Sequence, residues 1–203
     1  MIEMSVVFGL ARFFPLHNLL SVNEQNTLEK HALVSPRWRV LLAGGCIVLA
    51  AFAAYHNSFS GPFVFDDLGS IPDNPTIRHF RPVWPVLSPS TPGVGVSGRP
   101  LLNLSFALNY AISGLNVWSY HALNLAVHIL GGLVLFGVVR RTLLRLGGKF
   151  EAGALPLALL AALIWTVHPV QTASVTYISQ RAESLMGLCY LLTLYCFIRG
   201  VDG

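Results

Sequence analysis

The feature that most constrains this chain is a long stretch without any formally charged residue. Between Arg99 and Arg140 the sequence contains no Asp, Glu, Lys or Arg. Across all 203 residues, 54% are hydrophobic and 11% are charged, whereas a typical soluble domain has about 25% charged residues. Because a helix that crosses a bilayer needs about 20 mostly apolar residues, this composition predicts an all-α integral membrane protein.

Four hydrophobic segments are suited to be membrane spans. The first is flanked by Arg37 and Arg39, and the second ends at the basic stretch RRTLLRLGGK. The third and fourth are shorter, and the fourth is followed by Arg199. We therefore predict spans at about 38–56, 120–139, 155–167 and 185–198.

Lys and Arg residues predict the orientation of these spans, because loops on the cytoplasmic side of a membrane carry an excess of them. The basic cluster at 140–149 is predicted to be cytoplasmic, as is an amino-terminal segment, 1–37. The loop 57–119 and the shorter loop 168–182 are then external, and residues 38–199 form the membrane domain.

The composition argues against two other classes of protein. The net charge of +4 comes mostly from basic residues beside hydrophobic segments, without a basic stripe with interleaved aromatic residues, so nucleic-acid binding is not predicted. Cys46, Cys189 and Cys196 all lie within apolar segments, which predicts neither a disulfide framework nor a metal site.

The external loop is predicted to contain a helix. Residues 81–100 are rich in Pro, Gly and Ser and are expected to be irregular. A helix then begins at Pro100, and Leu101, Leu104 and Leu108 recur on one side of it. An uncharged helix beside a span is typical of an element that lies in the membrane interface. A re-entrant or tilted span is the alternative, but the basic cluster at 140–149 argues against the reversed topology that it implies.

Polar residues recur on one face of the second predicted span. His121, Asn124 and His128 follow each other at helical spacing. At membrane depth such groups need partners, so hydrogen bonds between helices are the favoured interpretation. The lining of a hydrophilic cavity is the second interpretation. A metal site is not predicted, because three ligands are not in view.

Two adjacent carboxylates, Asp66 and Asp67, follow the apolar residues FVF at the start of the external loop. They are either part of an exposed turn or functional groups at the apolar boundary, and the apolar neighbours favour the second interpretation. A carboxylate in such a position is suited to take a proton from a hydroxyl group.

The second external loop carries another group of polar residues. Pro169 ends the third span and leaves His168 at the outer surface, and Arg181 and Glu183 come just before the fourth span. Arg181 either anchors a helix end in the interface or faces an anion held at the membrane surface. Short spans on both sides of the loop favour a binding cavity.

Several segments, in this order, resemble the membrane domain of a known enzyme family. That family is the transmembrane and tetratricopeptide-repeat O-mannosyltransferases with their bacterial homologues, of the GT-C class of glycosyltransferases. The resemblance runs from Tyr55 to Ile198 and rests on YHNSFSGPFVFDD, NPTIR, GRPLLNLSFALNYAISGLNVWSYHALNLAVHIL and HPVQTASVTYISQRAESL.

The resemblance implies a reaction and a membrane. Such enzymes transfer a sugar, here mannose, from a polyprenyl (dolichyl-type) phosphate carrier to a Ser or Thr hydroxyl or another acceptor on the outer face. The protein would then lie in the inner or plasma membrane of a bacterium or in the endoplasmic reticulum membrane. No other cofactor is implied, although some GT-C members use a divalent metal at the acidic motif and others need none.

The resemblance also implies roles for single residues. Asp66, with Asp67 beside it, would deprotonate the acceptor. A cation must stabilise the lipid-phosphate leaving group, with Arg181 as the first choice and Arg99 as the second. The remaining expectations are substrate binding by His168 and Glu183, and lining of the cavity by Asn74, His121, Asn124 and His128.

Two departures from the family keep alternatives open. Ala173 stands where the family usually has a Glu, and the sequence shows four spans without tetratricopeptide repeats. We therefore expect the sequence to be the amino-terminal part of a larger enzyme. The alternatives are a non-catalytic membrane protein that binds a polyprenyl-phosphate lipid or a partner protein, and a small transporter or channel subunit.

Overall fold

The fold comes from a computed structural model that describes residues 36–79, 81–88 and 95–202. The chain divides into two compact units, 1–41 and 42–203. The predicted cytoplasmic segment thus lies outside the described residues, apart from its last two positions. All contacts reported below lie within the second unit.

All regular secondary structure among the described residues is helical, and no strand occurs among them. The α-helices are α1 (Pro36–Tyr55), α2 (Asp66–Ser70), α3 (Trp84–Leu87), α4 (Pro100–Ser113), α5 (Trp118–Leu146), α6 (Lys149–Val167), α7 (Thr172–Thr176) and α8 (Arg181–Asp202). Single 3₁₀ turns lie at His56–Ser60, Pro75–Ile77, Pro169–Gln171 and Ile178–Gln180.

Four helical segments of the described chain are long and apolar enough to cross a membrane, which confirms the predicted all-α membrane class. They are Arg37–Ser60, Trp118–Leu146, Lys149–Val167 and Ile178–Val201. The spans are longer than predicted, because charged residues at their ends continue the helices. Arg and Leu favour helix, so α5 continues through its basic end. It stops at Gly147 and Gly148, whose φ angles are 62° and 55°.

Helix α5 packs closely against α6 and α8, and it carries glycine where side chains of these helices and of α1 lie against it. A Cβ atom added at Gly132 would lie 2.6 Å from Thr166 Oγ1 of α6 and 3.3 Å from Ile47 of α1. One at Gly137 would lie 2.8 Å from the Tyr195 ring of α8. Small residues at such contacts let helix backbones approach closely, which is the main source of attraction between helices in lipid.

The loop between the first two spans has a hydrophobic core of its own. Part of the segment expected to be irregular forms α3, and Val86 is fully buried there. The core also takes residues from α4, from the start of α5 and from the turn before α8. Its buried members are Ile71, Ile77, Val86, Val96, Leu102, Phe106, Ala107, Tyr120 and Ile178.

Helix α4 buries two polar residues and exposes two of its leucines. Asn103 and Asn109 are buried, whereas 70% of Leu101 and 46% of Leu108 are exposed. In water the opposite orientation would be favoured. The arrangement therefore fits a helix whose outer side faces lipid, as the sequence predicts for an interfacial element.

The two ends of α5 have different surroundings. His121, near its first turn, hydrogen-bonds to Gly61 O at 3.0 Å and contacts Val175 O at 3.4 Å, so both loops meet at this end. The basic cluster at 140–149 lies at the other end. At 1.5 Å per residue, the two regions are about 30 Å apart, roughly the thickness of the hydrocarbon core.

We expect Gly132→Ala to lower the free energy of unfolding by about 1–3 kcal/mol, because the added methyl group collides with Thr166 and Ile47. The matched control is Gly45→Ala on α1, where an added Cβ meets nothing within 4 Å. Thermal unfolding in detergent compares the two, and equal midpoints would contradict the proposed close packing.

Candidate functional site

The Arg181 side chain lies at the centre of the polar network. Its guanidinium is fully buried, although arginine is one of the residues least often enclosed. Nε donates to Asn124 Oδ1 at 2.7 Å, and Nη1 donates to Asn109 Oδ1 at 2.7 Å and to Ser105 Oγ at 3.0 Å. Nη2 donates to Tyr120 O at 2.9 Å. The charge is thus held by neutral oxygen atoms from α4 and α5.

The polar face of α5 is used for contacts between segments. Asn124 Nδ2 donates to Tyr177 O at 3.3 Å and to Ile178 O at 3.4 Å, while its oxygen accepts from Arg181. His128 Nε2 lies 2.8 Å from Thr166 O and its ring stacks on Trp165. Each side chain therefore joins α5 to another element.

Asn74 organises the first loop in the same manner. Its Nδ2 donates to Ser70 O and to Asn103 Oδ1, both at 2.9 Å, and its Oδ1 accepts from Thr76 N at 3.0 Å. Asn103 in turn donates to Val86 O at 2.8 Å. These amides satisfy backbone groups beneath α2, so they fix the position of the acidic pair that begins this helix.

The two aspartates of the acidic pair have opposite surroundings. Asp67 is fully buried and accepts hydrogen bonds at both oxygens. Oδ1 accepts from Ser179 N at 2.7 Å and from Ser179 Oγ at 2.5 Å, and Oδ2 accepts from Val64 N at 3.1 Å. Asp67 thereby fastens the first loop to the turn before α8. Asp66 is exposed instead.

The backbone before Asp66 is strained. Phe65 has φ of 46°, although it is not glycine, and its side chain is 84% exposed. Such a conformation costs on the order of 1–3 kcal/mol and is enriched at functional sites. Asp66 N donates to Tyr177 Oη at 3.3 Å, which leaves the phenol proton of Tyr177 available to another acceptor.

Asp66 lines a cavity of about 220 Å³, which we call the Asp66 cavity. Arg99, Tyr177 and Glu183 line it too. Within the described chain, the Arg99 side chain makes one hydrogen bond, from Nη1 to Gly95 O at 3.5 Å, so most of its guanidinium donors are open to a ligand. Partial burial and the two nearby aspartates raise the pKa of Tyr177, which therefore keeps its proton at neutral pH.

The Asp66 cavity adjoins an apolar groove of about 340 Å³ between the start of α4 and the first turns of α8. Arg99 and Glu183 line both spaces, so a charged residue of each sign stands where they meet. We refer to this space as the α4–α8 groove. Its remaining lining residues are apolar, namely Pro100, Leu101, Leu102, Ala182, Leu185 and Met186.

The remaining sequence-predicted residues lie elsewhere. His168 is exposed, and its Nδ1 accepts from Val170 N at 3.2 Å. His128 lines a separate cavity of about 370 Å³ between α5, α6 and α8, which Glu183 also reaches. Asn74, His121 and Asn124 are buried and line neither of these cavities. Ala173 is exposed on α7.

The acidic pair offers a divalent metal the exposed carboxylate of Asp66 and the hydrogen-bonded carboxylate of Asp67. Both oxygens of Asp67 already accept hydrogen bonds from Ser179 and Val64. Throughout residues 36–79, 81–88 and 95–202, no three His, Cys, Asp or Glu side chains are grouped so that they could hold a metal ion.

Three predicted residues, Asp66, Arg99 and Glu183, therefore come together, whereas Arg181 and Asp67 are enclosed in the protein. Sequence analysis missed Ser70 and Tyr177, which also line the Asp66 cavity. Tyr177 lies within a segment that carries the family resemblance, and Ser70 lies between two such segments. No pattern in the sequence separates them from neighbouring polar residues, because their position depends on how the two loops meet.

The fold and this site define a multi-pass, all-α membrane protein in which two loops enclose a cavity with carboxylates and an open cation. Comparison with known proteins then identifies relatives of the chain. It is 34% identical over 177 residues to Protein O-mannosyl-transferase TMTC1 of Mus musculus, which covers 82% of this chain and 18% of that protein. The predicted resemblance of the chain to the membrane domain of this family is thereby confirmed.

Two further relatives match the chain at a similar level of identity. Protein O-mannosyl-transferase Tmtc3 of Drosophila melanogaster is 31% identical over 192 residues, covering 85% of this chain and 21% of that protein. Protein O-mannosyl-transferase TMTC2 of Mus musculus is 35% identical over 155 residues, covering 72% and 17%. The chain spans about a fifth of the length of these curated relatives. No family model and no solved structure matches it.

We expect Arg181→Met to lower the free energy of unfolding by about 2–4 kcal/mol, because it leaves Asn109, Asn124 and Tyr120 with unpaired buried oxygens. Arg99→Met is the control, since Arg99 is exposed and weakly bonded. The measurement is the midpoint of thermal unfolding for each variant without added lipid. Equal midpoints would show that Arg181 does not hold α4, α5 and α8 together.

Asp67→Asn should lower the free energy of unfolding by about 1–3 kcal/mol, because an amide nitrogen cannot accept the hydrogen bonds that Asp67 receives. Asp73→Asn changes an exposed aspartate of the same loop and should have no effect. Limited proteolysis of the first loop provides the second measurement. A loop that stays as resistant as in the unchanged protein would contradict the role of Asp67 as a clamp.

Proposed function

We propose that this chain forms the donor-binding membrane module of a glycosyltransferase. The module takes a sugar, mannose by analogy with the named relatives, from a polyprenyl-phosphate carrier and passes it to a Ser or Thr hydroxyl of a protein on the outer membrane face. The observation that carries the proposal is the Asp66 cavity, which holds an exposed carboxylate and an open guanidinium and adjoins the apolar α4–α8 groove.

The cavity and the groove suit the two ends of such a donor. A polyprenyl phosphate has a long apolar chain and an anionic head. The groove offers apolar walls to the chain, and Arg99 stands between groove and cavity, where the phosphate would lie. Arginine binds phosphate oxygens with two parallel hydrogen bonds, which also orients the group.

The reaction follows from these positions. The Asp66 carboxylate takes the proton of the acceptor hydroxyl as its oxygen attacks the anomeric carbon. The bond between that carbon and the phosphate oxygen breaks, and the configuration at the carbon inverts. The phosphate leaves with an additional negative charge, which Arg99 stabilises. The Tyr177 phenol, which keeps its proton, is a further donor toward the same cavity.

Arg99 replaces Arg181 as the proposed phosphate ligand because of burial. The donors of Arg181 are already used by Asn109, Asn124, Ser105 and Tyr120, and no side of its guanidinium is exposed. Arg181 instead sets the start of α8, which carries Glu183 to the cavity wall. Glu183 is the second carboxylate there and contributes to sugar binding in this proposal.

A second function keeps the lipid site without the transfer step. The chain would then bind a polyprenyl-phosphate lipid without catalysis. Ala173, which stands where the family usually has a Glu, favours this possibility. The two functions share Arg99 and the α4–α8 groove and differ in their need for Asp66.

Asp66→Asn should lower the rate of sugar transfer by a factor of about 10²–10⁴ and leave donor binding unchanged, because only the proton acceptor is lost. Arg99→Gln should weaken donor binding by about ten- to a hundredfold, because a charged partner of the phosphate is removed. The assay measures transfer of labelled mannose from polyprenyl-phosphate mannose to acceptor peptides by protein in nanodiscs, with donor binding measured in parallel.

Arg81→Gln is the control for Arg99, since Arg81 is an exposed arginine of the same loop that does not line the cavity. Transfer that survives Asp66→Asn would exclude Asp66 as the base. Binding that needs Arg99, in protein that transfers no sugar, would support the non-catalytic function. Donor binding that is insensitive to Arg99→Gln would exclude both.

A further inference from the structure

One wall of the Asp66 cavity carries a hydroxyl without a partner. Ser70, the last residue of α2, is 1% exposed, and its Oγ has no hydrogen-bond partner among the described residues. Leaving a buried hydroxyl unpaired costs about 1–3 kcal/mol. The proposed base Asp66 lies one helical turn earlier on the same short helix and lines the same cavity.

A gap among the described residues lies beside this hydroxyl. A Cβ atom added at Gly95 would lie 3.0 Å from Ser70 Oγ and within 4 Å of no other described atom outside its chain neighbours. A ligand atom cannot occupy that point itself, because it would lie at covalent distance from the Gly95 Cα. The space around the point holds no other described atom, so a ligand group can approach Ser70 across the face of Gly95.

We propose that Ser70 and the open face of Gly95 form a subsite that receives one hydroxyl group of the donor sugar, an assignment that rests on the proposed glycosyltransferase function. A serine hydroxyl both donates and accepts, which matches a sugar hydroxyl. Arg99 and the α4–α8 groove serve the phosphate and the lipid chain, so the sugar lies on the side of Ser70 and Asp66.

This subsite predicts selectivity for the sugar. A site with a buried hydroxyl discriminates against a ligand that lacks the matching group, because the hydroxyl is then left unpaired. A sugar that places its hydroxyl in the gap gains a hydrogen bond, whereas a bare polyprenyl phosphate gains nothing from Ser70. Ser70 is thus a residue that determines specificity and takes no part in proton transfer.

The test compares binding of polyprenyl phosphate and polyprenyl-phosphate mannose to the chain in nanodiscs. Ser70→Ala should weaken binding of the mannosylated lipid about three- to tenfold and leave binding of the bare lipid unchanged. Gly95→Ala should have the same selective effect, because its methyl group fills the gap while the hydroxyl remains. Without lipid, Ser70→Ala should unfold at the same temperature or higher, because it removes an unpaired buried group.

Ser58→Ala is the matched control. Ser58 is also buried, but its Oγ donates to Tyr55 O at 2.7 Å, so this variant should lose stability and keep the preference for the mannosylated lipid. Donor lipids whose mannose lacks a single hydroxyl identify the hydroxyl that Ser70 binds. The donor that lacks this hydroxyl should bind equally to the unchanged protein and to Ser70→Ala.

Each outcome decides between the two proposals. Equal binding of both lipids by the unchanged protein overturns the subsite and leaves the lipid-phosphate site standing. Unchanged preference in both Ser70→Ala and Gly95→Ala overturns the subsite as well. Failure of the unchanged protein to bind either lipid overturns the proposed function, and the subsite with it.

Discussion

The buried guanidinium of Arg181 is the interaction on which the arrangement of helices depends. A charge inside the protein must be surrounded by hydrogen-bond acceptors, since its transfer from water is costly. Asn109 of α4, together with Asn124 and the Tyr120 carbonyl of α5, supplies them. The three helices can satisfy the charge only in one relative position, so Arg181 fixes where α8 begins.

This constraint determines the cavity. The turn before α8 presents Ser179 to Asp67, which fastens the first loop, and the first turn of α8 presents Glu183 to the opposite wall. Asp66 is adjacent to Asp67 and therefore faces the space between the two loops. The two aspartates therefore have different roles. The buried Asp67 fastens the first loop to the turn before α8, and the exposed Asp66 is the proposed base.

The outline of the fold was predictable, because crossing a lipid bilayer demands long uncharged helices that are visible in the composition. Their ends were less predictable, since α5 continues as a helix through Arg140 and Arg145. Within the site, Asp66 was found because carboxylates at an apolar boundary are unusual. Arg181 was predicted to face an anion, but its surroundings depend on Asn109 and Asn124, which are distant in sequence.

The sequence by itself determined the class of protein and the family resemblance, since hydrophobic length and motif order are properties of the chain. Only the tertiary structure decided which arginine is free and which is enclosed, because burial results from contacts between segments far apart. It likewise left the Ser70 hydroxyl without a partner among the described residues and brought Gly95 beside it. The two residues are far apart in the sequence of the first loop, so only the folding of that loop brings them together.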